Sequence, residues 1–424
     1  MNSDNNLVPT YRFPEFKDDG NWEISTIKSL AEIKGRIGYR GYTTSDIVEK
    51  GKGAITLSPS NIIDGRLNFD KATYISWDKY DESPEIMLEE GHTVLVKTAS
   101  VGKTAYISNL PEKTTLNPQI VVLKAYDKID KKLLSYCISH DFTQQMILNK
   151  VGAGAIPNLS QESIGNIEIT YPTNPAEQQK IAACLSSLDD VIAGHEEKLT
   201  ALEEHKKGLM QNLFPQEGET QPKYRFPEFE NDGDWVEKKL SEIGVLVNGL
   251  TYSPNDVSTE GILVLRSSNV QNSTISLEDN VYVNKTINEV NPIKLGDILI
   301  CVRNGSKSLI GKNALIRKDM PNATHGAFMT VFRSQQFEFV YQLFQSDLFF
   351  KQVHTDLGAT INSINGRNLL NYKFVIPKNP LEQQKIASVL SSVDELIVAQ
   401  REKIEALKKH KKGLMQGLFP KIES

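Results

Sequence analysis

The sequence predicts an α+β protein: two mixed α/β globular domains at opposite ends of a long antiparallel two-helix coiled coil, with internal pseudo-twofold symmetry. Three observations support this fold. A helical sequence at residues 177–215 returns at residues 382–420, with about 25 of roughly 39 paired positions identical. A shorter sequence at residues 11–16 returns at residues 224–229. The segments between these repeats are rich in β-branched residues and glycine, as sheet-containing domains are.

The repeats divide the chain into consecutive segments. We predict a first globular domain over residues 1–172, a first long helix over 173–215, a linker over 216–234, a second globular domain over 235–377 and a second long helix over 378–424. Trp22 of the first domain returns as Trp235 of the second.

Each long helix carries its own start and stop signals. Asn174 and Asn379 are placed to cap the first turn, and a proline follows each at the first helical position. Glu177 and Glu382 lie three residues after the cap, so we expect each to complete a capping box by accepting from the cap backbone N–H. A proline at the far end of each repeat cannot continue the helix.

Apolar residues recur at alternating steps of four and three along both helices, which predicts a coiled-coil seam. The predicted seam consists of Ile181, Leu185, Leu188, Ile192, His195, Leu199, Leu202, Ile386, Leu390, Val393, Ile397, Gln400, Ile404 and Leu407. His195 and Gln400 occupy matched positions, where a mutual pairing would fix the register; the alternative is that a polar seam residue is tolerated at some cost. Lys206 and Lys411 interrupt the seam in the same matched way.

The chain connection favours antiparallel helices. Parallel packing would require the second domain to return the chain along the whole helix, about 55 to 60 Å at 1.5 Å per residue. Antiparallel packing removes that requirement and places one domain at each end.

The two globular segments share landmarks and otherwise differ, which indicates one scaffold with two different surfaces. The matched landmarks are Ser60-Asn61-Ile62 with Ser268-Asn269-Val270, Tyr74 with Tyr282, Val94-Leu95-Val96 with Ile298-Leu299-Ile300, and Gly102-Lys103-Thr104-Ala105 with Gly311-Lys312-Asn313-Ala314.

Composition limits the class of protein. The 424 residues are 39% hydrophobic, the first nine are polar, and no apolar run approaches the roughly 18 residues of a membrane span, so we expect a soluble cytoplasmic protein. The net charge of −5 argues against binding nucleic acid by overall charge alone. Cys137, Cys184 and Cys301 are widely spaced, so we expect small buried or half-buried thiols with neither a disulfide nor a metal site.

No catalytic motif is present in the sequence, and we predict no catalytic and no metal-binding residues. Gly102-Lys103-Thr104 resembles the end of a phosphate-binding loop, but Lys97 occupies the position where that loop requires glycine. His195 lacks the nucleophile or carboxylate that a catalytic base would need.

Positive charge is concentrated locally. Residues 294–318 carry six Lys or Arg side chains against Asp297, and residues 28–40 carry four against Glu32. Such side chains, mixed with amides and hydroxyls, suit phosphate and base contacts, although a solvated loop face has the same composition. The lysine-rich run at residues 408–412 lies on a helix, which favours a solvated or partner-facing surface.

These motifs resemble one family. Two variable domains, each introduced by Arg-Phe-Pro-Glu-Phe and followed by a helix that opens with Glu-Gln-Gln-Lys-Ile-Ala and closes with Lys-Gly-Leu-Met-Gln-x-Leu-Phe-Pro, resemble the specificity (S) subunit of type I restriction-modification enzymes. The resemblance covers essentially the whole chain. It implies that the globular segments are target-recognition domains, which bind the two halves of an interrupted double-stranded DNA site.

The resemblance also implies the partners. Two methyltransferase (M) subunits would carry S-adenosylmethionine and methylate adenine at N6, and restriction (R) subunits would use ATP and Mg²⁺ for translocation and cleavage. This chain itself would bind no cofactor and would be non-catalytic.

Candidate DNA contacts follow from loop position and residue type. They are Lys34, Arg36, Tyr39, Arg40, Ser60, Asn61, Lys97, Lys103, Tyr252, Arg266, Ser268, Asn269, Arg303, Asn304, Lys307 and Lys312.

Two other functions are compatible with the residues. One is an enzyme with unfamiliar motifs, which would bind S-adenosylmethionine or modify DNA by itself. The other is a coiled-coil scaffold for two protein partners, which would give no sequence-specific DNA footprint even with those partners present.

Overall fold

The computed structural model describes residues 7–151, 157–284, 290–357 and 362–420, apart from the Tyr39 side chain. The chain forms two compact units. Unit 1 comprises Met1–His195 with Lys403–Ser424, and unit 2 comprises Glu196–Glu402. Each unit contains one globular domain and a part of each long helix. Among the described residues, no helix has the length and apolar content needed to cross a lipid bilayer.

The first half of the chain alternates short strands with short helices before the first long helix. Its strands are β1 (Glu23–Thr26), β2 (Ala31–Gly35), β3 (Ile47–Val48), β4 (Gly53–Leu57), β5 (Ile62–Ile63), β6 (Arg66–Leu67), β7 (Thr73–Ser76), β8 (Thr93–Val96), β9 (Thr104–Tyr106), β10 (Thr114–Leu116), β11 (Ile120–Ala125) and β12 (Glu168–Tyr171). Its helices are α1 (Ile27–Leu30), α2 (Trp77–Asp81), α3 (Lys131–Ser139), α4 (Asp141–Asn149), α5 (Gln161–Gly165) and the long α6 (Pro175–Leu213).

The second half repeats this order, although no counterpart of α2 occurs among its described residues. Its strands are β13 (Val236–Lys239), β14 (Val245–Asn248), β15 (Val257–Ser258), β16 (Ile262–Leu265), β17 (Val270–Gln271), β18 (Thr274–Ile275), β19 (Val281–Val283), β20 (Ile298–Cys301), β21 (Asn313–Leu315), β22 (Ala323–His325), β23 (Met329–Arg333) and β24 (Lys373–Ile376). Its helices are α7 (Leu240–Ile243), α8 (Phe337–Phe344), α9 (Asp347–Asp356), α10 (Gly366–Leu370) and the long α11 (Pro380–Leu418).

Sheet topology is the same in both domains. The unit 1 sheets run β10-β4-β7-β3 and β2-β11-β8-β9, with the pairs β1-β12 and β5-β6. The unit 2 sheets run β22-β16-β19-β15 and β14-β23-β20-β21, with the pairs β13-β24 and β17-β18. In each unit the first sheet contains one parallel pair, β10-β4 or β22-β16, and the remaining pairs are antiparallel. The internal repeat therefore extends from the helices to the whole domain, confirming two mixed α/β domains.

Alternate residues of strand β8 pack into two different cores. Leu95 belongs to the core that includes the long helices, whereas Val94 and Val96 belong to the core of the sheets. All of β8 is buried, so its unbroken apolar sequence covers both faces.

Strand β20 shows that one predicted landmark is wrong by one residue. Ile300 packs into the helix-containing core, and Leu299 and Cys301 pack on the other face. Val94 pairs with Ala105 and Leu299 pairs with Ala314, so Val94 corresponds to Leu299 and not to Ile298. Because side chains alternate between faces, a one-residue error exchanges the two cores. The match of Tyr74 with Tyr282 is correct, since they pair with Ile55 and Leu263 of corresponding strands.

Within unit 1 the two long helices pack antiparallel. Near the start of α6, Ile181 lies in the same core as Leu418 at the end of α11. Further along α6, the Asp189 carboxylate accepts from Lys411 Nζ at 2.6 Å, earlier in α11. Residue numbers therefore run in opposite directions along the two helices, as predicted.

Unit 2 has the same arrangement. Leu213 at the end of α6 lies in one core with Ile386 near the start of α11, and Lys206 Nζ donates to Asp394 at 2.6 Å. The two lysines that interrupt the predicted seam thus neutralise aspartates of the opposite helix. The predicted seam residues are all buried or half-buried, including half-buried His195 and buried Gln400; the pairing of those two residues stays a prediction.

The prediction that Glu177 completes a capping box at the start of α6 is wrong. Asn174 caps the helix as expected, because its Oδ1 accepts from Ala176 N at 2.9 Å. The buried Glu177 carboxylate instead accepts two bonds from the Arg12 guanidinium, at 2.8 and 2.7 Å, and one from Trp22 Nε1 at 3.4 Å. The bond to Glu177 raises the pKa of Arg12 above its usual value. Glu177 therefore fixes the N-terminal segment to the helix.

The same cluster occurs at α11. Glu382 accepts from Arg225 twice at 2.8 Å and from Trp235 Nε1 at 3.1 Å. Arg12 and Arg225 each also donate to a glycine carbonyl at 2.6 Å, from Gly20 and Gly233 respectively. Both glycines have φ of +76°, a conformation that other residues rarely adopt. The two short sequence repeats and the two helix starts are thus parts of one contact.

We expect Glu177→Ala to lower the free energy of unfolding of unit 1 by about 1.5 to 3 kcal/mol, because the half-buried Arg12 guanidinium loses its counter-charge and two charged hydrogen bonds. Glu382→Ala should act in the same way on unit 2. Urea denaturation combined with hydrogen exchange of each unit measures both effects.

The matched control is Glu204→Ala on the exposed face of α6, with an expected change within about 0.5 kcal/mol. A control variant that destabilises as strongly as Glu177→Ala would contradict the assigned role of the cluster.

Candidate nucleic-acid interface

Several loops converge beside strand β20 in unit 2. We call segments 266–269, 302–312, 326–328 and 362–365 loop cluster 2. Val302 N and Arg303 N both donate to Phe328 O, at 3.0 and 3.1 Å, and Ile364 N donates to Val302 O at 2.8 Å. The Asn304 amide donates to Ser267 Oγ at 3.0 Å, which connects segment 266–269 to segment 302–312.

Unit 1 contains the corresponding arrangement beside strand β8. We call segments 58–61, 97–103, 117–119 and 157–160 loop cluster 1. Lys97 N donates to Gln119 O, and Leu159 N donates to Lys97 O, both at 2.8 Å. Thr98 Oγ1 donates to Asn158 Oδ1 at 2.8 Å.

Matching hydrogen bonds define equivalent positions in the two clusters. By this criterion Thr98 corresponds to Arg303, and Gln119 corresponds to Phe328. A hydrogen bond from Gly102 N to Val96 O joins the two ends of the loop after β8. The bond from Gly311 N to Cys301 O joins the two ends of the loop after β20. The intervening residues are 97–101 in one cluster and 302–310 in the other, so loop cluster 2 is the longer. The backbone frame is shared and the side chains differ.

The side chains of loop cluster 2 combine an arginine with an aromatic ring. The Arg303 guanidinium lies 5.7 Å from the centre of the Phe328 ring. Arg303 is exposed, and Phe328 is 59% exposed. No carboxylate of the described residues forms an ion pair with Arg303, so its donors are available to a ligand.

The side chains of loop cluster 1 are mainly amides and hydroxyls. Asn158 is exposed, and its Oδ1 is held by Thr98. Gln119 is half-buried, and its Oε1 accepts from the Asn117 amide at 3.1 Å. This cluster therefore presents amide groups where loop cluster 2 presents a cation on a ring.

The loop clusters contain part of the predicted site. Lys97 and Lys312 are half-buried, whereas Lys103 and Lys307 are exposed. Lys103 Nζ approaches Ile62 O at 3.5 Å. Asn304 is half-buried and supports the loop through Ser267. Their contribution to binding stays a prediction.

The prediction that Arg36 contacts DNA is wrong. This residue is 4% exposed, and it donates to Leu116 O at 2.9 Å, to Thr115 Oγ1 at 3.2 Å and to Arg40 O at 3.3 Å. Burial lowers the pKa of this guanidinium. Arg36 thus connects β2 to β10 through the protein interior and is not available to a phosphate.

The predicted DNA contacts of Asn61 and Asn269 are also wrong, because both side chains are buried. Asn269 Oδ1 accepts from Arg266 N at 2.9 Å, and its amide donates to Ser276 O at 3.0 Å. Asn61 makes the corresponding bonds to Ser58 N and Asn68 O. The matched Ser-Asn sequence therefore builds a short 3₁₀ turn and the hairpin that follows it.

The remaining predicted contacts differ in their surroundings: some form ion pairs within the protein, and Ser60 and Ser268 lie in the loop clusters. Lys34 pairs with Glu32 at 3.3 Å, Arg40 with Glu85 at 3.5 Å and Arg266 with Asp279 at 2.8 Å. Ser60 is exposed, Ser268 is half-buried, and Tyr252 packs against a small core of Leu250, Val264 and Val283. The predicted contact of Tyr39 lies outside the described side chains.

Phe328, Gln119 and Asn158 were not among the predicted contacts. The sequence around these three residues gives no indication of a role in DNA binding, because they lie far along the chain from Arg303 or Lys97. The turns between β10 and β11 and between β22 and β23 place Gln119 and Phe328 in the clusters, and the bridge to Thr98 places Asn158 there.

Ion pairs change the interpretation of the charged segments. Asp297, the one acid of residues 294–318, accepts from Arg333 at 2.7 Å and does not oppose the loop lysines. In the lysine-rich run, Lys408, Lys411 and Lys412 pair with Asp64, Asp189 and Asp141 of the same unit. That run is therefore largely neutralised.

The long helices repeat their exposed residues as well as their buried ones. Val191 of α6 and Leu396 of α11 are matched apolar residues, 48% and 56% exposed. One side of each helix, at positions that recur with Val191 and Leu396 in steps of three, four and seven, carries identical exposed residues: Lys180 and Lys385, Ser187 and Ser392, Lys198 and Lys403, Ala201 and Ala406, and His205 and His410. We call these residues, with Val191 and Leu396, the repeated helix face.

The three cysteines are free thiols, and their burial is as predicted, with Cys137 and Cys301 buried and Cys184 half-buried. Burial raises the pKa of the Cys137 and Cys301 thiols, which keeps them protonated. Among the described residues, no group of His, Cys, Asp or Glu side chains has the arrangement of a metal site.

Known proteins share this organisation. Residues 19–204 and 232–409 match the family model described as type I restriction modification DNA specificity domain. The chain is 28% identical over 355 residues to the type I restriction enzyme MjaVIII specificity subunit of Methanocaldococcus jannaschii, covering 79% of this chain and 80% of that protein. It is 25% identical to the putative type I restriction enzyme MjaX specificity subunit of the same organism, covering 94% and 93%.

One solved structure, the S subunit of a type I restriction-modification system from M. genitalium, matches 98% of this chain and 100% of its own with a TM-score of 0.61. The sequence identity is 16%, so this similarity concerns the fold.

We expect Asn269→Ala to lower the stability of unit 2 by about 1 to 3 kcal/mol, because buried backbone groups lose their partners. Asn61→Ala should have the same effect on unit 1. Thermal denaturation and hydrogen exchange of the β17-β18 and β5-β6 hairpins measure the loss. The control Ser60→Ala removes an exposed hydroxyl, so a change above about 0.5 kcal/mol there would argue against a specific role for the asparagines.

Proposed function

Because the chain belongs to the family of type I restriction-modification DNA specificity subunits, we propose that loop clusters 1 and 2 each contact one half of an interrupted double-stranded DNA site. The observation that supports this is the shared backbone frame with different side chains at equivalent positions, such as Thr98 and Arg303. A common frame presents each cluster to DNA in the same way. Different side chains then select different bases.

The long helices are proposed to set the distance between the half-sites. Each 39-residue helix contributes to both compact units, so its length is shared by the two DNA-binding domains. Two DNA-binding domains contact the same face of a duplex when their centres are about 34 to 36 Å apart, or a multiple of that distance. Antiparallel pairing of the helices in each unit supports a rigid spacer.

The repeated helix face is proposed to bind two copies of one partner. A surface that is repeated within one chain suits one partner bound twice, and two methyltransferase subunits meet that requirement. Val191 and Leu396 provide an exposed apolar contact at the centre of each copy. Restriction subunits would join the complex through this assembly.

Catalysis is assigned to those other chains. We propose that the methyltransferase subunits bind S-adenosylmethionine and methylate adenine, and that the restriction subunits use ATP and Mg²⁺. The net charge of −5 supports this division, since partner subunits would supply part of the phosphate neutralisation. The chain alone should therefore neither bind S-adenosylmethionine nor modify DNA, which calorimetry and a methylation assay test directly.

We expect Arg303→Ala to weaken recognition of one half-site and Asn158→Ala to weaken recognition of the other, because the two residues lie in different clusters. Adenine-methylation mapping of whole genomes, in cells that supply the chain and its methyltransferase subunit, measures both half-sites together. An equal loss at both halves from either variant would contradict the assignment of one cluster to one half.

We also expect that four residues inserted at matched positions in both α6 and α11 lengthen the unspecified gap by one or two base pairs. Four helical residues add about 6 Å, and one base pair occupies about 3.4 Å. Methylation mapping measures the gap. Altered half-sites with an unaltered gap would argue against the helices as a spacer.

A further inference from the structure

We propose that Arg303, supported by Phe328, recognises a guanine in the half-site of loop cluster 2. This inference rests on the proposed DNA-binding function and adds the base that one side chain selects. Arginine recognises guanine through two parallel hydrogen bonds to O6 and N7 in the major groove.

The geometry around Arg303 suits such a contact. The guanidinium carbon lies 5.7 Å from the centre of the Phe328 ring, a cation–π contact that holds the charged group beside the ring before DNA binds. Backbone bonds from Val302 N and Arg303 N to Phe328 O hold the two residues together, so the stack does not depend on the side chains alone. Restricting a long side chain in advance reduces the entropy that binding must overcome.

A planar, two-bond contact explains the aromatic ring better than a phosphate contact does. A phosphate can be bound by a mobile lysine that acts as a point charge, so a phosphate contact does not require an oriented guanidinium. Phe328 is 59% exposed and lies beside the exposed Arg303, so its ring is accessible both to the guanidinium and to a bound base. Its ring both orients the guanidinium and offers an apolar surface to a neighbouring thymine methyl group.

The equivalent positions of loop cluster 1 lack both groups. Thr98 replaces the arginine, and Gln119 replaces the aromatic ring. The proposed guanine contact therefore belongs to one half-site only, and variants of Arg303 should leave the other half-site unchanged.

Methylation mapping with the full complex is the first test. For Arg303→Ala we expect one G·C pair in one half-site to become dispensable, and methylation of the original site to fall by roughly 5- to 150-fold. Phe328→Ala should weaken the preference at the same pair. Arg303→Lys should keep part of it, because lysine retains the charge but not the planar pair of donors.

The chain provides a matched control. The Arg317 guanidinium also lies 5.7 Å from an aromatic centre, that of Tyr341, in the same unit but outside loop cluster 2. Arg317→Ala should leave the recognised sequence unchanged. A change at the same base pair in this control would overturn the assignment to Arg303.

Modified DNA gives the second test. A duplex that carries the mapped site with 7-deazaguanine at the selected position lacks the N7 acceptor. The wild-type complex should bind it at least about fivefold more weakly than the guanine duplex, whereas the Arg303→Ala complex should bind both duplexes equally. An equal loss in both complexes would overturn the proposal.

Two further outcomes would also reject it. If Arg303→Ala weakens binding uniformly across sequences and reduces the salt dependence by about one phosphate contact, Arg303 is a phosphate ligand. If the affected half-site contains no G·C pair, the base assignment is wrong. Failure of the proposed function is distinct, since the wild-type complex would then show no sequence-specific methylation at all.

Discussion

A buried glutamate at the start of each long helix holds the architecture together. Glu177 and Glu382 each receive an arginine and a tryptophan from a segment that lies more than a hundred residues earlier in the chain. A buried carboxylate requires such partners, because leaving it without them costs several kcal/mol. The helix direction is consequently fixed relative to its own domain, and the core and loops are built on that frame. The same contact occurs twice, so the two halves share one scaffold.

The internal repeat acts as a comparison within one molecule. Features that both halves retain support the structure or a repeated partner: the glutamate clusters, the Lys206 and Lys411 ion pairs, the buried Asn61 and Asn269, and the repeated helix face. The side chains of the two loop clusters are among the features that differ between the halves, although their backbone hydrogen bonds are shared. A protein that must bind two different DNA sequences with one scaffold requires this separation, because a change of specificity then leaves stability intact.

The sequence predicted several parts of the site for the wrong reason. Asn61 and Asn269 were predicted to contact DNA because they are polar, repeated and next to turns. Their repetition instead reflects a hairpin that both halves share. Arg36 lies in a basic segment, but its guanidinium is buried against Leu116 and Thr115. Arg303 was predicted from the charge of its loop, and the structure adds the Phe328 ring, whose centre lies 5.7 Å from the guanidinium. Repetition within a chain therefore indicates a structural role more strongly than a contact with a variable ligand.

The sequence by itself determined the two long helices, their starts and antiparallel pairing, and the presence of two related domains, because these features depend on local periodicity, capping and repeated segments. Only the tertiary structure decided which distant loops meet. The pairing of Arg303 with Phe328, of Lys97 with Gln119 and of Glu177 with Arg12 depends on strand register and on burial. A one-residue change in register exchanges the faces of a strand, as the correction from Ile298 to Leu299 demonstrates, and no local pattern in either strand specifies its partner.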